Sequence, residues 1–224
     1  MKKCVYDRLH QAGGVSVWVV ILVAVAITQN AQARELFPAG TAAQHVYAGV
    51  GVGATNNDAS DDWDDGSVSS ISTDKTDTST KVFVGYEVTP NVAVEGSYSD
   101  FGESEFSATS DGSGDSWAPG QVSGTNESSG FGLSAVGSWP VTDRITVFGK
   151  LGMLWWKSKN TWNESGFISV EESSGSDLSY GAGLEYDVGL PQRFVYRFEF
   201  ERHAVDDSQY QLNTGSASLV YRFP

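Results

Sequence analysis

The densest chemistry in the chain lies in "RFVYRFEFERH", residues 193–203. Arg193, Arg197, Glu199 and Glu201 stand between Phe194, Tyr196, Phe198 and Phe200. On an extended backbone, alternate side chains share a face and meet charges on neighbouring strands. Glu87, Glu95, Lys150, Glu185, Asp187 and Arg222 recur in the same alternating setting. Such groups can pair into a polar core or gate an ion path. Two other sets suggest different chemistry. "DDWDDG" brings together Asp61, Asp62, Asp64 and Asp65, and carboxylate oxygens suit a hard cation such as calcium. The spacing does not fit an EF-hand loop. A solvated acidic loop is the plainer reading, and neither metal nor cofactor is expected. His45 and His203 are the histidines beyond residue 33, and His203 precedes Asp206, Asp207 and Ser208. Nucleophilic catalysis requires such groups to converge. A histidine beside a loop is more often solvated, so no catalytic residue is assigned and no enzyme is expected.

Which elements would position these groups? The 224 residues suffice for one large or two small domains. Against 14 Lys and Arg stand 28 Asp and Glu, a net charge of -14. Phosphate binding needs a basic face, so no nucleic-acid partner is expected. Residues 1–33 differ from the rest. Lys2, Lys3 and Arg8 precede the apolar run "VSVWVVILVAVAI" (15–27), and "AQA" follows at 31–33. That order describes a secretory signal peptide cleaved after Ala33. The run is short for a membrane-spanning helix, which needs about 20 residues; an uncleaved anchor is the alternative. Cys4, the single cysteine, precedes the run, so the mature chain would hold no disulfide and no thiolate. Residues 34–44 form a lead-in.

Beyond residue 44, period-2 alternation returns repeatedly, the primary sign of strands. It marks 46–54, 81–88, 91–101, 129–139, 144–156, 177–188, 193–203 and 213–223. No 3.6-residue period is sustained. Three connections are tight turns rich in Pro, Gly, Asn and Asp, exemplified by "PVTD" and "GLPQ". The other four run to about 24, 27, 20 and 9 residues and are rich in Ser, Gly and Asp. A compact soluble domain seldom carries three such loops, whereas a membrane barrel has short turns at one end and long loops at the other. The expected fold is all-β: an eight-stranded antiparallel up-and-down transmembrane β-barrel over residues 45–223.

Residue size decides which face looks outward. Eight strands leave a bore just wide enough for side chains. The four aromatics of 193–203 would overfill it alongside the other apolar residues. The opposite faces are small or charged, and a charge facing hydrocarbon near the midplane costs about 2–4 kcal/mol. Trp139, Trp155, Tyr186, Phe194, Tyr196, Phe198, Phe200, Tyr221 and Phe223 are therefore assigned to lipid, several as interfacial girdles. Glu95, Lys150, Glu185, Arg197 and Glu199 are assigned to a central ion network. Glu87, Asp187, Arg193, Glu201 and Arg222 are secondary lumen charges. A soluble barrel with its aromatic face covered by a partner is the alternative, but it leaves the signal peptide and the turn asymmetry unexplained.

"GYEVTPNVAVEGSYSDFG", "LSAVGSWPVTDRITVFGKLGMLWWKS", "YGAGLEYDVG", "YRFEFERH" and "GSASLVYRF" resemble, in order and spacing, the transmembrane domain of the outer membrane protein A family. The resemblance covers about residues 45–223. It implies insertion through the outer-membrane assembly machinery, which reads the closing strand. It also implies a lumen cluster proposed as a gate, with carboxylates at Glu95 and Glu185, an arginine at Arg197 and a basic residue at Lys150. The family's lysine on the fourth strand has no counterpart: Gly132, Ser134, Val136 and Ser138 point inward there. No periplasmic peptidoglycan-binding domain is expected. The expected role is structural or adhesive, through long acidic loops at the surface of a Gram-negative cell. A narrow gated pore is the alternative. Expected partners are outer-membrane lipid, lipopolysaccharide and an extracellular ligand the residues do not identify. A monomer is expected.

Overall fold

The computed structural model describes residues 45–57, 67–74, 76–114, 119–164, 167–189, 193–205 and 210–224. The expected signal peptide, the lead-in and Asp61, Asp62, Asp64 and Asp65 lie outside these residues, as do Trp63 and Trp117. Among the described residues there are nine strands: β1 (Val46–Asn57), β2 (Val68–Asp74), β3 (Thr76–Thr89), β4 (Val92–Ser110), β5 (Gly120–Pro140), β6 (Ile145–Glu164), β7 (Phe167–Asp187), β8 (Phe194–Val205) and β9 (Tyr210–Arg222). Eight of them close a ring in the order β1-β3-β4-β5-β6-β7-β8-β9, every neighbour antiparallel, with β9 paired back to β1. The ninth, β2, pairs with the outer end of β4.

The paired residues fix the geometry of closure. From Trp155 the row of direct partners runs through Phe131, Tyr98, Val82, Val50, Leu219, Tyr196 and Tyr186 to Ile145. One circuit returns to β6 ten residues lower, 155 against 145. A stagger of ten across eight strands inclines them by about 40° to the axis, within the 35–45° range of such barrels.

This row also shows which way the faces point. Tyr196, Phe198 and Phe200 are 48%, 50% and 54% exposed, while Arg197, Glu199 and Glu201 between them are buried. The inversion holds around the ring: Val84, Val94, Phe131, Leu133, Leu151, Trp155, Leu178, Leu184 and Leu219 are exposed, and the charges face inward. Trp139 near the short turns and Trp155, eight residues beyond Val147, the direct partner of Trp139, bracket this apolar band, about 20 Å tall given a rise of about 3.3 Å per residue and this tilt.

Residues with aromatic rings also stand inside, each against a glycine of its direct cross-strand partner: Tyr47 on Gly85, Phe83 on Gly49 and Phe148 on Gly183. Flat rings fill the bore only because the neighbouring strand has no side chain there. They form the inner apolar cluster with Ala93, Val136, Val195 and Val220.

The strands outrun the expected length. β4, β5, β6 and β7 reach 19, 21, 20 and 21 residues, so most of two stretches expected to be loops are continuous β-sheet. Their Ser, Thr, Asn and Gly residues show no alternation because water can reach both faces there. Cross-strand contacts hold the extension together: Asn126 donates to Ser158 Oγ at 2.8 Å and to Asn160, and Phe106 packs edge-on against Trp162. Trp162, within the stretch of about 20 residues expected to be loop, lies on β6 opposite Gly124 and Ser169. At Gly102 (φ 80°) the pairing of β4 shifts. The Gly102 N–H bonds Asp100 Oδ1 and the Glu103 N–H bonds Asp77 Oδ2. Below this bulge β4 pairs with β3, and above it with β2.

A methyl group on Gly85 would overlap the Tyr47 ring, whereas one on Gly96 meets nothing within 4 Å. Gly85→Ala is expected to destabilise the folded barrel by about 1–3 kcal/mol through overpacking, and Gly96→Ala to stay within about 0.5 kcal/mol of the parent. Urea midpoints of the heat-modifiable gel band in detergent would measure both.

Candidate functional site

The inward faces of β3, β4, β6, β7, β8 and β9 carry one connected set of ions. Glu95 is at its centre, 1% exposed. Its Oε1 accepts from Lys150 Nζ at 2.8 Å; its Oε2 accepts from Arg197 Nη1 at 2.6 Å and from the Tyr47 hydroxyl at 2.9 Å. Arg197 also donates through Nε and Nη2 to Glu185 Oε1, at 2.9 and 2.7 Å. Lys150 reaches Glu201 Oε1 at 2.9 Å and Glu199 Oε1 at 3.0 Å. Lys81 completes the outer side, bonding Glu199 Oε2 at 2.9 Å and Glu201 Oε2.

The rings explain how so compact a cluster excludes water. The Arg197 guanidinium lies 5.2, 4.7 and 4.8 Å from the centroids of Tyr47, Phe83 and Phe148. Cation–π attraction is strengthened by desolvation, so these rings both fill the bore and hold the charge. The pairs are charge-assisted and multidentate, the arrangement that makes buried ions tolerable.

The network thins toward the short-turn end. Arg222 Nη2 donates to Glu185 Oε2 at 2.6 Å, and its Nη1 lies 3.3 Å from Glu87. The Arg222 side chain is 43% exposed, so this last link is solvated. Toward the other end, His203 is buried against Phe101, ring centroids 5.1 Å apart, and neither ring nitrogen has a hydrogen-bond partner among the described residues. A second apolar cluster follows: Phe101, Leu154, Trp156 and Leu212, with Trp156 Nε1 donating to Asp177 Oδ2 at 2.6 Å. Two cavities flank Phe101, one beside Lys81 and Glu201 and one beside Asp77 and Glu103; each is about 10 Å³, room for one water molecule.

Glu95, Lys150, Glu185, Arg197 and Glu199 thus come together, and Glu201 is bound into the same cluster. Glu87 and Arg222 form its short-turn fringe. Arg193 and Asp187, expected in the lumen, do not join it. Arg193 is an exposed turn residue at φ 58°, and Asp187 is exposed at the rim, where its Oδ1 accepts the Gly189 N–H. Asp187 is the last residue of β7 and Arg193 stands just before β8, both beyond the packed bore. Lys81, Tyr47, Phe83, Phe148 and His203 were missed. Lys81 was legible: it is in phase with Phe83, Gly85 and Glu87 on one alternating face. Trp139, Trp155, Tyr186, Tyr196, Phe198 and Phe200 are exposed on the outer wall. Phe194, Tyr221 and Phe223 are half-buried in a ring cluster at its base, with centroids 5.2 and 5.0 Å apart along the chain of contacts.

Replacing Glu95 by Ala leaves Lys150 and Arg197 short of a buried counter-charge. The loss is expected to be about 3–5 kcal/mol. Arg222→Ala, at a solvated pair, is expected to cost about 1 kcal/mol or less. Equilibrium unfolding in detergent checks the contrast.

Known proteins share this architecture. Neisserial surface protein A aligns over 80% of this chain and 97% of its own, at 12% identity and a TM-score of 0.50. OprG of Pseudomonas aeruginosa aligns over 81% and 95%, at 12% identity and a TM-score of 0.50. Ail of Yersinia pestis, the attachment invasion locus protein, aligns over 80% and 99% at 18% identity with a TM-score of 0.46. At these identities the likeness is one of fold. No curated protein matches the sequence at a significant level. Residues 19–223 match the family described as the outer membrane protein beta-barrel domain, and with its exposed apolar band and closed ring of eight strands the chain belongs to that outer-membrane family.

Proposed function

We propose that the protein is a closed outer-membrane scaffold whose work is done by the sheet it holds above the membrane, in surface attachment rather than in conduction. The observation that carries this reading is the buried network from Lys81 to Arg197, capped by Phe101, Leu154, Trp156 and Leu212. A conducting bore needs a continuous water path, and the two cavities found beside these layers among the described residues hold about one water each. β4 to β7, by contrast, continue roughly 20 Å beyond Trp155 at their rise per residue. Glu103, Glu105, Glu127, Glu171 and Glu172 lie on this extension.

A non-catalytic role fits the same geometry. His45 packs on Tyr86 near the short turns and His203 is buried near the opposite end, so the two cannot share a site. In this reading lipid and lipopolysaccharide surround the apolar band, the short turns face the periplasm, and the chain is exported by its cleaved first 33 residues. The mature protein would then begin at Arg34.

Purified protein in planar bilayers is expected to give no discrete conductance steps in molar salt. Steady steps in the wild type that vanish in Arg197→Ala, with folding retained, would replace this reading with that of a gated pore.

A further inference from the structure

The barrel closes only in part of its height. The last pair between β7 and β8 is Ser179 with His203. Above it, residues 167–178 pair with β6 on one side, and no described strand pairs with them on the other. Residues 168–174 are all exposed, the outward Ile168 (70%) and Val170 (53%) as well as the inward Ser169, Glu171 and Ser173. β7 is therefore an open edge of a five-stranded sheet, β2-β4-β5-β6-β7, standing outside the membrane. Natural proteins blunt such edges with charges, Lys above all, with Pro or with a bulge. Residues 167–178 hold no Lys, Arg or Pro, and no register shift interrupts their pairing with β6.

The charge around this edge is acidic. It carries Glu171, Glu172 and Asp177. On the same sheet Glu103 is held above its ordinary carboxylate range by partial burial and by the charges of Glu127 and Glu105. Lys157 and Lys159 on β6 offset part of this, but the chain as a whole is at -14. The exposed side chains also alternate in kind, with Ile168 and Val170 outward, then Glu172 outward and Glu171 inward.

We infer that β7 binds an extended basic segment of another polypeptide by strand addition, with main-chain hydrogen bonds to residues 168–174 and side chains matched to that alternation. The sequence that fits can be specified. An antiparallel strand facing Glu172, Glu171, Val170, Ser169 and Ile168 in turn needs two basic residues, an apolar residue, a small polar residue and an apolar residue. Opposite charges and apolar pairs directly across a ladder are the favourable combinations. A second copy of this chain is disfavoured as occupant, because copies in one membrane present the same acidic edge in the same vertical direction, and antiparallel pairing would invert one of them.

The inference rests on the sheet standing outside the membrane, as in the proposed function, but not on the bore being closed. Its test uses the full barrel in nanodiscs and a fluorescent peptide, Ser-Thr-Lys-Arg-Val-Thr-Val-Ser, followed by anisotropy. Two further peptides carry N-methyl groups at odd or at even positions. In an added strand only alternate N–H groups face β7, so one methylated form is expected to bind about tenfold or more weakly than the other. Val170→Lys is expected to weaken the parent peptide by a similar factor, with folding verified by heat-modifiable mobility. Equal binding of the two methylated forms would show attraction of charge alone and overturn the inference. So would absence of saturable binding to the folded wild type. Conductance is read separately, so a leaky barrel that still discriminates the two peptides sinks the closed-scaffold reading alone.

Discussion

A charge removed from water must find its counter-charge close by, and most of this barrel follows from meeting that demand inside a narrow bore. A buried ion without a partner costs several kcal/mol, and mutual attraction offsets this only where the remaining donors and acceptors are also bonded. Both oxygens of Glu95 are satisfied, by Lys150 on one side and by Arg197 and Tyr47 on the other. These partners come from β6, β8 and β1, so the cluster ties together strands that are not neighbours of β4 in the sheet as well as one strand across the bore. It also fixes register. A one-residue slip of β8 would turn Arg197, Glu199 and Glu201 to lipid and Phe198 inward, and near the midplane each such charge costs about 2–4 kcal/mol.

Ions alone would not fill the space. The glycine opposite each inward ring is what lets three aromatics share a cross-section with Arg197, and the rings in turn lower the local polarity that strengthens its pairs. Gly49 and Gly85 are therefore as much part of the site as Glu95 is. Tyr47 and Phe83 occupy each other's glycine across the β1–β3 pair, a reciprocal fit that a single register allows.

The sequence was most legible where two solvents meet. Between Tyr196 and Phe200, lipid on one side and a polar bore on the other impose strict alternation, and strand, face and charge could all be read. Above Trp155 both faces of the sheet are wet. "NTWNESGFISVEESSGS" keeps no period there, so β6 and β7 looked like loop although their backbones pair continuously. Parity misled at the rim, where Asp187 at the end of β7 and Arg193 just before β8 keep the phase of lumen residues but stand outside the packed bore. The inward rings were hidden for a different reason: alternation sorts residues by face, but only the cross-strand register shows that Phe148 lies over Gly183.

The level at which the barrel opens has a physical cause in the membrane itself. Within hydrocarbon an unpaired N–H or C=O costs several kcal/mol, so closure of the ring is compulsory there. Above it water satisfies the same groups, and closure is optional. The final closing pair on β7, Ser179 with His203, stands beside Leu178, above which the next outward positions of that strand turn polar at Ser176, Ser174 and Glu172. β8 stops soon afterwards while β7 continues for another 12 residues, from 178 to 167, held by β6 alone. The free edge is therefore no flaw in an otherwise closed cylinder. It begins where the solvent stops enforcing closure, and it stands on a base that the ion network has already made rigid.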